Sequence, residues 1–216
     1  MSKKIILLAG PTASGKSKLA IQLAKKIKGE IINADSMQVY KELSILSSKP
    51  DNLELKEVKH HLYGFVSVKE NFSAGDWLKK TKIKIKLCLK KKKIPIIIGG
   101  TGLYFNTITK GISKIPNIDT KTRNEVRSLF KKLGQIKFYE KLLEIDPKVK
   151  DKILYTDSQR AQRAYEVVIK TKKSLFDWMS NTKSDFVDYD IKKIFIKIPK
   201  EELLKKISKR TETMFK

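Results

Sequence analysis

The chain has 216 residues, of which 40% are hydrophobic and 33% are charged. A chain of this size and composition can build a substantial core, which excludes global disorder and leaves room for one domain with a smaller insertion. The 48 lysines and arginines exceed the 23 acidic residues, which gives a formal net charge of +25. This excess favours a polyanionic partner such as nucleic acid, although a lysine-rich solvated surface accounts for it equally well.

Cys88 is the single cysteine of the sequence, which excludes an internal disulfide and any multi-cysteine metal site. It lies between apolar neighbours in KIKLCLKK, a context typical of a buried structural thiol. His60 and His61 are adjacent, and adjacent residues of a strand point to opposite faces, which favours a structural role over a metal site. No apolar run suits a signal peptide or the roughly 18 residues of a membrane span. We expect a soluble, cytoplasmic protein without a membrane partner.

Short Ile-rich runs predict buried parallel strands. In chain order they cover residues 4–9, 30–34, 95–98 and 193–198, with a weaker candidate at 61–66. Helical patterns lie between them, notably at residues 16–28, 73–91 and 200–215. This alternation predicts an α/β fold in which right-handed crossovers place helices on a parallel sheet.

The pattern changes between about residues 117 and 182, where three stretches have helical periodicity and no convincing strand occurs. They are TKTRNEVRSLFKKLG, KFYEKLLEID and DSQRAQRAYEVVIKTKK. A strand then returns at KKIFIKI. We therefore predict a core formed by residues 1–116, a helical insertion domain over 117–185, and a return to the core over 186–216.

The stretch GPTASGKS satisfies the pattern G-x-x-x-x-G-K-[ST], directly after a predicted strand and before a predicted helix. Its members are Gly10, Pro11, Thr12, Ala13, Ser14, Gly15, Lys16 and Ser17. The glycines let successive N–H groups and the helix N-terminus point at phosphate oxygens. Lys16 supplies a mobile positive charge, and the Ser17 hydroxyl can ligate Mg²⁺. The pattern predicts a P-loop NTPase-like core that binds phosphate, and it leaves open whose phosphate this is and whether ATP binds.

Two further predicted strands end in polar loops. Asp35 follows the second strand in NADSMQVY, where a carboxylate could hold Mg²⁺ through water or accept a proton from a nucleophile. Equally, Asp35 or Ser36 could be the N-cap of a helix over MQVYKEL. The loop GGTGLY permits a close backbone approach to a ligand, or it is a plain turn with Thr101 as N-cap. The convergence of three strand-end loops on one mouth favours a ligand site.

In order and spacing, GPTASGKS, DSMQVY, HHL, GGTGLY and DSQRAQRAYEV resemble the bacterial tRNA dimethylallyltransferases, the isopentenyl-tRNA transferase family. The resemblance covers essentially the whole chain, and DSMQVY and GGTGLY are far more specific than the phosphate loop. It implies transfer of a dimethylallyl group from dimethylallyl diphosphate to N6 of the adenosine 3′ to the anticodon of tRNA, assisted by Mg²⁺. The loop would then cradle an isoprenoid diphosphate, and no ATP hydrolysis would be required.

The resemblance also implies roles for individual residues. Residues 10–17 would bind the diphosphate, with Thr12 near the reacting centre and Arg210 holding the departing diphosphate. Asp35 would be the general base that accepts the proton of the adenine amino group. The residues implied to contact tRNA are Asp35, Ser36, Met37, Gln38, Thr101, Arg123, Gln159, Arg160, Ala161, Gln162 and Arg163.

These roles agree with the chemistry. An exocyclic adenine nitrogen is a poor nucleophile, and a positioned carboxylate that takes its proton remedies this. Backbone N–H groups, Lys16, Arg210 and Mg²⁺ would absorb the charge that grows on the leaving diphosphate. The base must leave its stack, which is easiest in a single-stranded anticodon loop. Arg160 and Arg163 lie on one face of a predicted helix, where surface salt bridges are the alternative to RNA contact.

The sequence departs from the family pattern in two places and leaves alternatives open. LSILSSKP lacks the Gly-Thr-Ala that usually precedes Lys-Pro, and Leu-Tyr-Thr precedes Asp157 instead of His-Pro-Asn. Relatives continue beyond residue 216 with more helices and an Arg-rich tail, so activity without that part is an open question. The alternatives are a P-loop kinase for a small metabolite and a catalytically weakened tRNA-binding fragment. The tRNA targets and the oligomeric state stay open, with a monomer as the default.

Overall fold

A computed structural model of the chain describes residues 3–215. Its five strands pair in parallel in the order β3-β2-β4-β1-β5, which confirms the predicted α/β fold with a parallel sheet. The strands are β1 (Lys4–Ala9), β2 (Gly29–Asn33), β3 (His60–His61), β4 (Ile94–Gly99) and β5 (Asp190–Phe195). The α-helices within the described part are α1 (Lys16–Ile27), α2 (Ser44–Ser47), α3 (Asn52–Glu57), α4 (Ala74–Lys90), α5 (Gly102–Thr109), α6 (Thr120–Ile145), α7 (Ser158–Thr171), α8 (Leu175–Ser180) and α9 (Lys200–Met214).

The central strands are covered by hydrophobic clusters on both faces. Side chains alternate along β1, so Ile5 and Leu7 join one cluster while Ile6 and Leu8 join the other. Helices α4 and α5 complete the first cluster, and α1 completes the second. Burial on both faces explains why these strands are continuous apolar runs in the sequence.

The last strand differs from its prediction over residues 193–198. It pairs with β1 from Asp190 to Phe195, opposite Lys4 to Ala9. The pairing stops there because β1 ends at Ala9 and the phosphate loop begins. β5 is also an edge strand, and Phe195 is 70% exposed, so the prediction of a buried strand is wrong.

The weaker candidate over residues 61–66 is also largely wrong. Only His60 and His61 pair with β2. Leu62 (φ +63°) and Gly64 (φ +53°) then adopt left-handed backbone, which cannot continue a strand. This turn ends β3, the edge strand, after two residues.

Residues 110–183 form a compact unit of their own, and residues 3–109 together with 184–215 form the other. The helical unit has a separate core that includes Phe138, Leu142 and Ala164. Its longest helix, α6, is broken at Gly134 (φ +73°, ψ 177°), the last residue of the first of the two stretches whose periodicity predicted helices. The predicted limits of the insertion domain, residues 117 and 185, stay a prediction.

Within residues 3–215, no helix is long and apolar enough to cross a membrane.

Cys88 belongs to a hydrogen-bonded polar group under the sheet. It is fully buried, and its Sγ lies 3.5 Å from Glu30 Oε2, which also lies 2.6 Å from His61 Nε2. Burial by itself would raise the pKa of Glu30, but the hydrogen bonds from His61 and Cys88 lower it below its usual value. Burial raises the pKa of the Cys88 thiol to about 12, so the thiol stays protonated. These contacts support structural roles for Cys88 and His61, which stay predictions.

A buried hydroxyl in α4 offers a test of the core. Thr81 is fully buried, and its Oγ1 has no hydrogen-bond partner among the described residues. Valine keeps the shape of threonine and removes the desolvated hydroxyl. We expect Thr81→Val to raise the free energy of unfolding by about 1 kcal/mol, measured by guanidinium denaturation.

The matched control is Thr107, which is also buried but donates from Oγ1 to Tyr104 O at 2.8 Å. We expect Thr107→Val to lower the free energy of unfolding by about 1 kcal/mol because that hydrogen bond is lost. Shifts of the same sign in both variants would contradict the assignment of Thr81 as an unsatisfied group.

Candidate active site

The phosphate loop joins β1 to α1 and has the backbone of an anion site. Ala13 (φ +56°) and Gly15 (φ +80°) are left-handed, a conformation that turns successive N–H groups towards one point. α1 begins at Lys16, and no side chain caps its N-terminus. The first N–H groups of the helix are therefore available to an anion.

Ser14 adds an unsatisfied donor to this loop. Its Oγ is buried and has no hydrogen-bond partner within residues 3–215. Gly10 makes room for it, since a Cβ at Gly10 would lie 3.0 Å from that oxygen and 3.1 Å from Ile196 Cβ. A buried hydroxyl without a hydrogen-bond partner is unfavourable, and an oxygen of a bound phosphate would accept its hydrogen bond.

Two cations face the loop. Lys16 Nζ donates to Pro11 O at 2.8 Å, and Arg210 Nη1 of α9 donates to Thr12 Oγ1 at 2.9 Å. Burial lowers the pKa of Lys16, the Asp35 carboxylate opposes this effect, and Arg210 reinforces it. A bound polyanion would stabilise the charged form of Lys16 in place of the Pro11 carbonyl.

Residues 12–17 of the loop, Arg210 and Asp35 line one cavity of about 220 Å³. Asp35 is the acidic side chain among the lining residues. The Ser17 hydroxyl also lines the cavity, and hydroxyl and carboxylate oxygens are ligands that Mg²⁺ accepts. The residues present therefore fit an anion that carries Mg²⁺.

Asp35 itself sits in a turn. Its Oδ1 accepts from Met37 N–H at 2.9 Å, while Oδ2 receives none of the hydrogen bonds found in the described part of the chain. The helix over MQVYKEL does not form, because the carbonyls of Gln38 and Val39 accept from Gly64 and Phe65 N–H instead. The interpretation of Asp35 or Ser36 as a helix N-cap is therefore wrong.

The loop GGTGLY lies directly against the Asp35 segment. Thr101 Oγ1 accepts from Ser36 N–H at 2.9 Å and lies 3.3 Å from Ser36 Oγ. Thr101 precedes α5, but its hydroxyl joins two loops and makes no bond to the helix it precedes. Ser36 and Thr101 are thus brought together with Asp35, as the convergence of strand ends predicts.

Met37 and Gln38 complete the predicted segment. Met37 is 52% exposed, whereas Gln38 lines the cavity. Gln38 Nε2 donates to the carbonyls of Ser47 and Ser48 at 2.9 and 3.0 Å. This amide holds the end of the short helix α2 beside the cavity, which Ser47 and Ser48 also line.

The helical unit carries the other predicted tRNA contacts. Arg160 pairs with Asp157 and Arg163 pairs with Glu166, each at 3.2 Å. The pair of Arg160 is largely exposed and contributes little to stability, so that guanidinium group is able to bind phosphate. Glu166 is buried, and the half-exposed Arg163 keeps it paired. Ala161, by contrast, is 2% exposed and packs in the core of the unit. Ala161 therefore lies on the packed face of α7, and a tRNA contact at this position stays a prediction.

Three further predicted contacts lie on the same two helices. Gln159 on α7 is exposed, and Gln162 Nε2 donates to Ser158 O at 3.2 Å. Arg123 on α6 is half-buried, and its Nε has no partner among the described residues. An orphaned guanidinium nitrogen is consistent with a ligand contact, which stays a prediction.

Sequence reasoning missed five residues that line the cavity, and three of them have polar side chains, namely Ser47, Ser48 and Tyr63. Tyr63 directly follows the HHL motif, and burial raises the pKa of its phenol, so the hydroxyl stays protonated. Ser47 and Ser48 lie in LSILSSKP, where the departure from the family pattern was the available signal.

Gly99 provides a test of how the site is assembled. A Cβ on Gly99 would lie 2.1 Å from Ala34 O, so alanine would force β4 away from the segment that leads to Asp35. We expect Gly99→Ala to lower the free energy of unfolding by about 3 kcal/mol, measured by urea denaturation.

The matched control is Gly102→Ala in the same loop, since a Cβ there would meet no atom within 4 Å. We expect a change within about 0.5 kcal/mol for this variant. If the two substitutions changed the free energy of unfolding equally, the close approach of Gly99 to Ala34 would not be what requires glycine at position 99.

Comparison with known proteins relates the chain to one family of enzymes. A family model described as IPP transferase matches residues 38–216. A tRNA dimethylallyltransferase of Pelagibacter ubique (strain HTCC1062) is 56% identical over 98% of this chain and 67% of that protein. A tRNA dimethylallyltransferase of Rickettsia massiliae (strain Mtu5) is 44% identical over 99% of this chain and 59% of that protein.

Solved structures give the same relationship. A eukaryotic dimethylallyltransferase acting on tRNA superposes with a TM-score of 0.84 at 29% identity, over 99% of this chain and 53% of that one. The full-length tRNA isopentenylpyrophosphate transferase of Bacillus halodurans superposes with a TM-score of 0.63 at 29% identity, over 99% of this chain and 66% of that one. The chain therefore spans between 53% and 67% of the length of these four relatives.

Proposed function

This chain belongs to the IPP transferase family, and we propose that it transfers a dimethylallyl group from dimethylallyl diphosphate to N6 of the adenosine 3′-adjacent to the anticodon in tRNA. The observation that carries the proposal is the shared cavity. Residues of the phosphate loop, Arg210 and Asp35 line the same 220 Å³ space, so an anion site and a proton acceptor face each other.

The phosphate loop would bind and activate the leaving group. Backbone N–H groups at the start of α1 and the orphaned Ser14 hydroxyl would donate to diphosphate oxygens. As the bond between carbon and the diphosphate oxygen breaks, its electron pair goes to that oxygen. Lys16 and Arg210 would stabilise the charge that develops there.

Asp35 would act on the second substrate, the adenine base of tRNA. A new bond forms between N6 of the adenine and the dimethylallyl carbon, and the amino group loses a proton. Asp35 Oδ2 would accept that proton, since Oδ1 already accepts from Met37 N–H. Thr101 and Ser36 would hold the flipped base beside the carboxylate.

A magnesium ion fits the same cavity as a companion of the diphosphate. The Ser17 hydroxyl and, through water, the Asp35 carboxylate would hold it. When bound, Mg²⁺ supplies charge neutralisation to the diphosphate.

The helical unit would contact the tRNA outside the reacting base. Arg160, Arg163 and Arg123 carry guanidinium groups that pair well with phosphate. Gln159 and Gln162 flank the arginines of α7 with amide groups. The formal net charge of +25 favours the approach of a polyanion.

Two other functions share parts of this site. A P-loop kinase for a small metabolite would use the same loop, and it would turn over ATP in the absence of RNA by transferring the terminal phosphoryl group to the metabolite. A catalytically weakened tRNA-binding fragment would bind tRNA without transferring the prenyl group. The relatives named tRNA dimethylallyltransferase match the chain over nearly its whole length, which does not favour either alternative.

The first experiment tests transfer and the proposed base together. The chain is incubated with Mg²⁺, radiolabelled dimethylallyl diphosphate and unmodified tRNA, and the label in RNA is counted. We expect Asp35→Ala and Asp35→Asn to reduce the rate by about 10²–10⁴ while tRNA affinity is retained, because both variants lack the proton acceptor.

Asp35→Asn is the sharper variant, because its amide oxygen can still accept from Met37 N–H and preserve the turn. A full rate in Asp35→Asn would reduce Asp35 to a turn residue. Absence of label with the unaltered chain, together with ATP turnover without RNA, would favour the kinase.

A second experiment addresses the proposed RNA surface on α7. We expect Arg160→Ala and Arg163→Ala to weaken tRNA binding and to reduce the dependence of log affinity on log salt by about one unit each, since a phosphate contact is lost. Binding of dimethylallyl diphosphate should stay unchanged. The measurement is a tRNA titration at several salt concentrations.

The control is Arg127→Ala, which removes an exposed arginine of α6 in the same unit that no family motif covers. It leaves the total charge equal to that of the test variants. Equal losses in all three variants would indicate a general effect of charge. Unchanged affinity in the α7 variants would leave Arg160 and Arg163 as ion-pair partners of Asp157 and Glu166.

A further inference from the structure

We infer that Asn33 is a positioning residue for the reaction: its side-chain amide grips the main chain of Asp35 and thereby fixes the direction of the Asp35 carboxylate. The inference rests on the proposed function, in which Asp35 is the base. Asn33 is the last residue of β2 and is fully buried.

The contacts of the amide converge on Asp35. Asn33 Oδ1 accepts from Asp35 N–H at 2.9 Å, and Asn33 Nδ2 donates to Asp35 O at 3.0 Å. Both polar groups of the Asp35 main chain are thus held by one side chain. Rotation of the backbone on either side of the Asp35 Cα atom would break one of these hydrogen bonds.

The second proton of the amide connects this clamp to the residue that follows β3. Asn33 Nδ2 also donates to Leu62 O at 3.0 Å, in a buried contact. An asparagine amide has two N–H donors and one carbonyl oxygen, and each of these groups has a partner here. A fully satisfied buried amide has a defined orientation, so it can transmit that orientation to Asp35.

The main chain of Asn33 is anchored as well. Trp77 Nε1–H donates to Asn33 O at 2.8 Å, and the indole is stacked on Tyr104 with ring centroids 4.3 Å apart. Tyr104 belongs to α5, which follows the GGTGLY loop. The end of β2 is therefore fixed by groups from α4, α5 and the chain after β3.

Asn33 acts on the reaction through Asp35, because it is not among the residues that line the cavity. Serine at this position can accept from Asp35 N–H but cannot donate to two carbonyls. Alanine can do neither, and it leaves the carbonyls of Asp35 and Leu62 without these donors. We expect the rate to fall in the order asparagine, serine, alanine.

The experiment measures single-turnover prenyl transfer with saturating dimethylallyl diphosphate and tRNA. We expect Asn33→Ala to reduce the rate constant by about 10²-fold and Asn33→Ser by about tenfold, with the affinity for dimethylallyl diphosphate unchanged. In the Asp35→Asn background the same substitutions should change the residual rate by less than about twofold, because a clamp has no effect once its base is gone.

The double-mutant comparison separates positioning from a general structural role. Thr81→Val, another change at a fully buried polar residue of the same unit, serves as the control and should leave the rate unchanged. An equal loss in both backgrounds, or a rate within twofold of the unaltered chain, would overturn the inference. If Asn33→Ala does not fold, Asn33→Ser carries the same test. No transfer by the unaltered chain, either alone or joined to the C-terminal part of a relative, would instead overturn the proposed function.

Discussion

The site depends on one close backbone contact between the ends of β2 and β4. Gly99 has no side chain, and a Cβ there would lie 2.1 Å from Ala34 O. Without that atom, Ala34 N–H donates to Ile98 O at 2.6 Å, and Ala34 O accepts from Thr101 N–H at 3.3 Å. The two strand-end loops are therefore held side by side, and the carboxylate of Asp35 has a fixed neighbour in the loop of Thr101.

The electrostatics of the cavity follow from this arrangement. Lys16 and Arg210 place positive charge at the phosphate loop, while Asp35 places one carboxylate across the same space. Burial lowers the pKa of Lys16 because it disfavours the charged ammonium group. A bound anion would stabilise that charge. The cations that would activate the leaving group and the carboxylate that would accept the proton thus line the same cavity, and each is held by its own contacts.

Residues far apart in the chain complete the site. Arg210 and Thr12 are separated by 198 positions, and their contact places α9 beside the phosphate loop. Asn33 and Leu62 meet because β2 and β3 are neighbours in the sheet. The parallel sheet brings these groups together because the carboxyl ends of its strands all lie at one edge.

The sequence by itself determined the α/β fold, the phosphate loop and the family, because apolar runs and short motifs record local requirements of backbone and ligand. It did not determine that residues 36–43 form no helix, or that Phe195 lies on an exposed edge strand. It also gave no sign that the Asn33 amide grips Asp35. Only the tertiary structure decided these points, because each depends on which distant segment supplies the hydrogen-bond partner or covers the side chain.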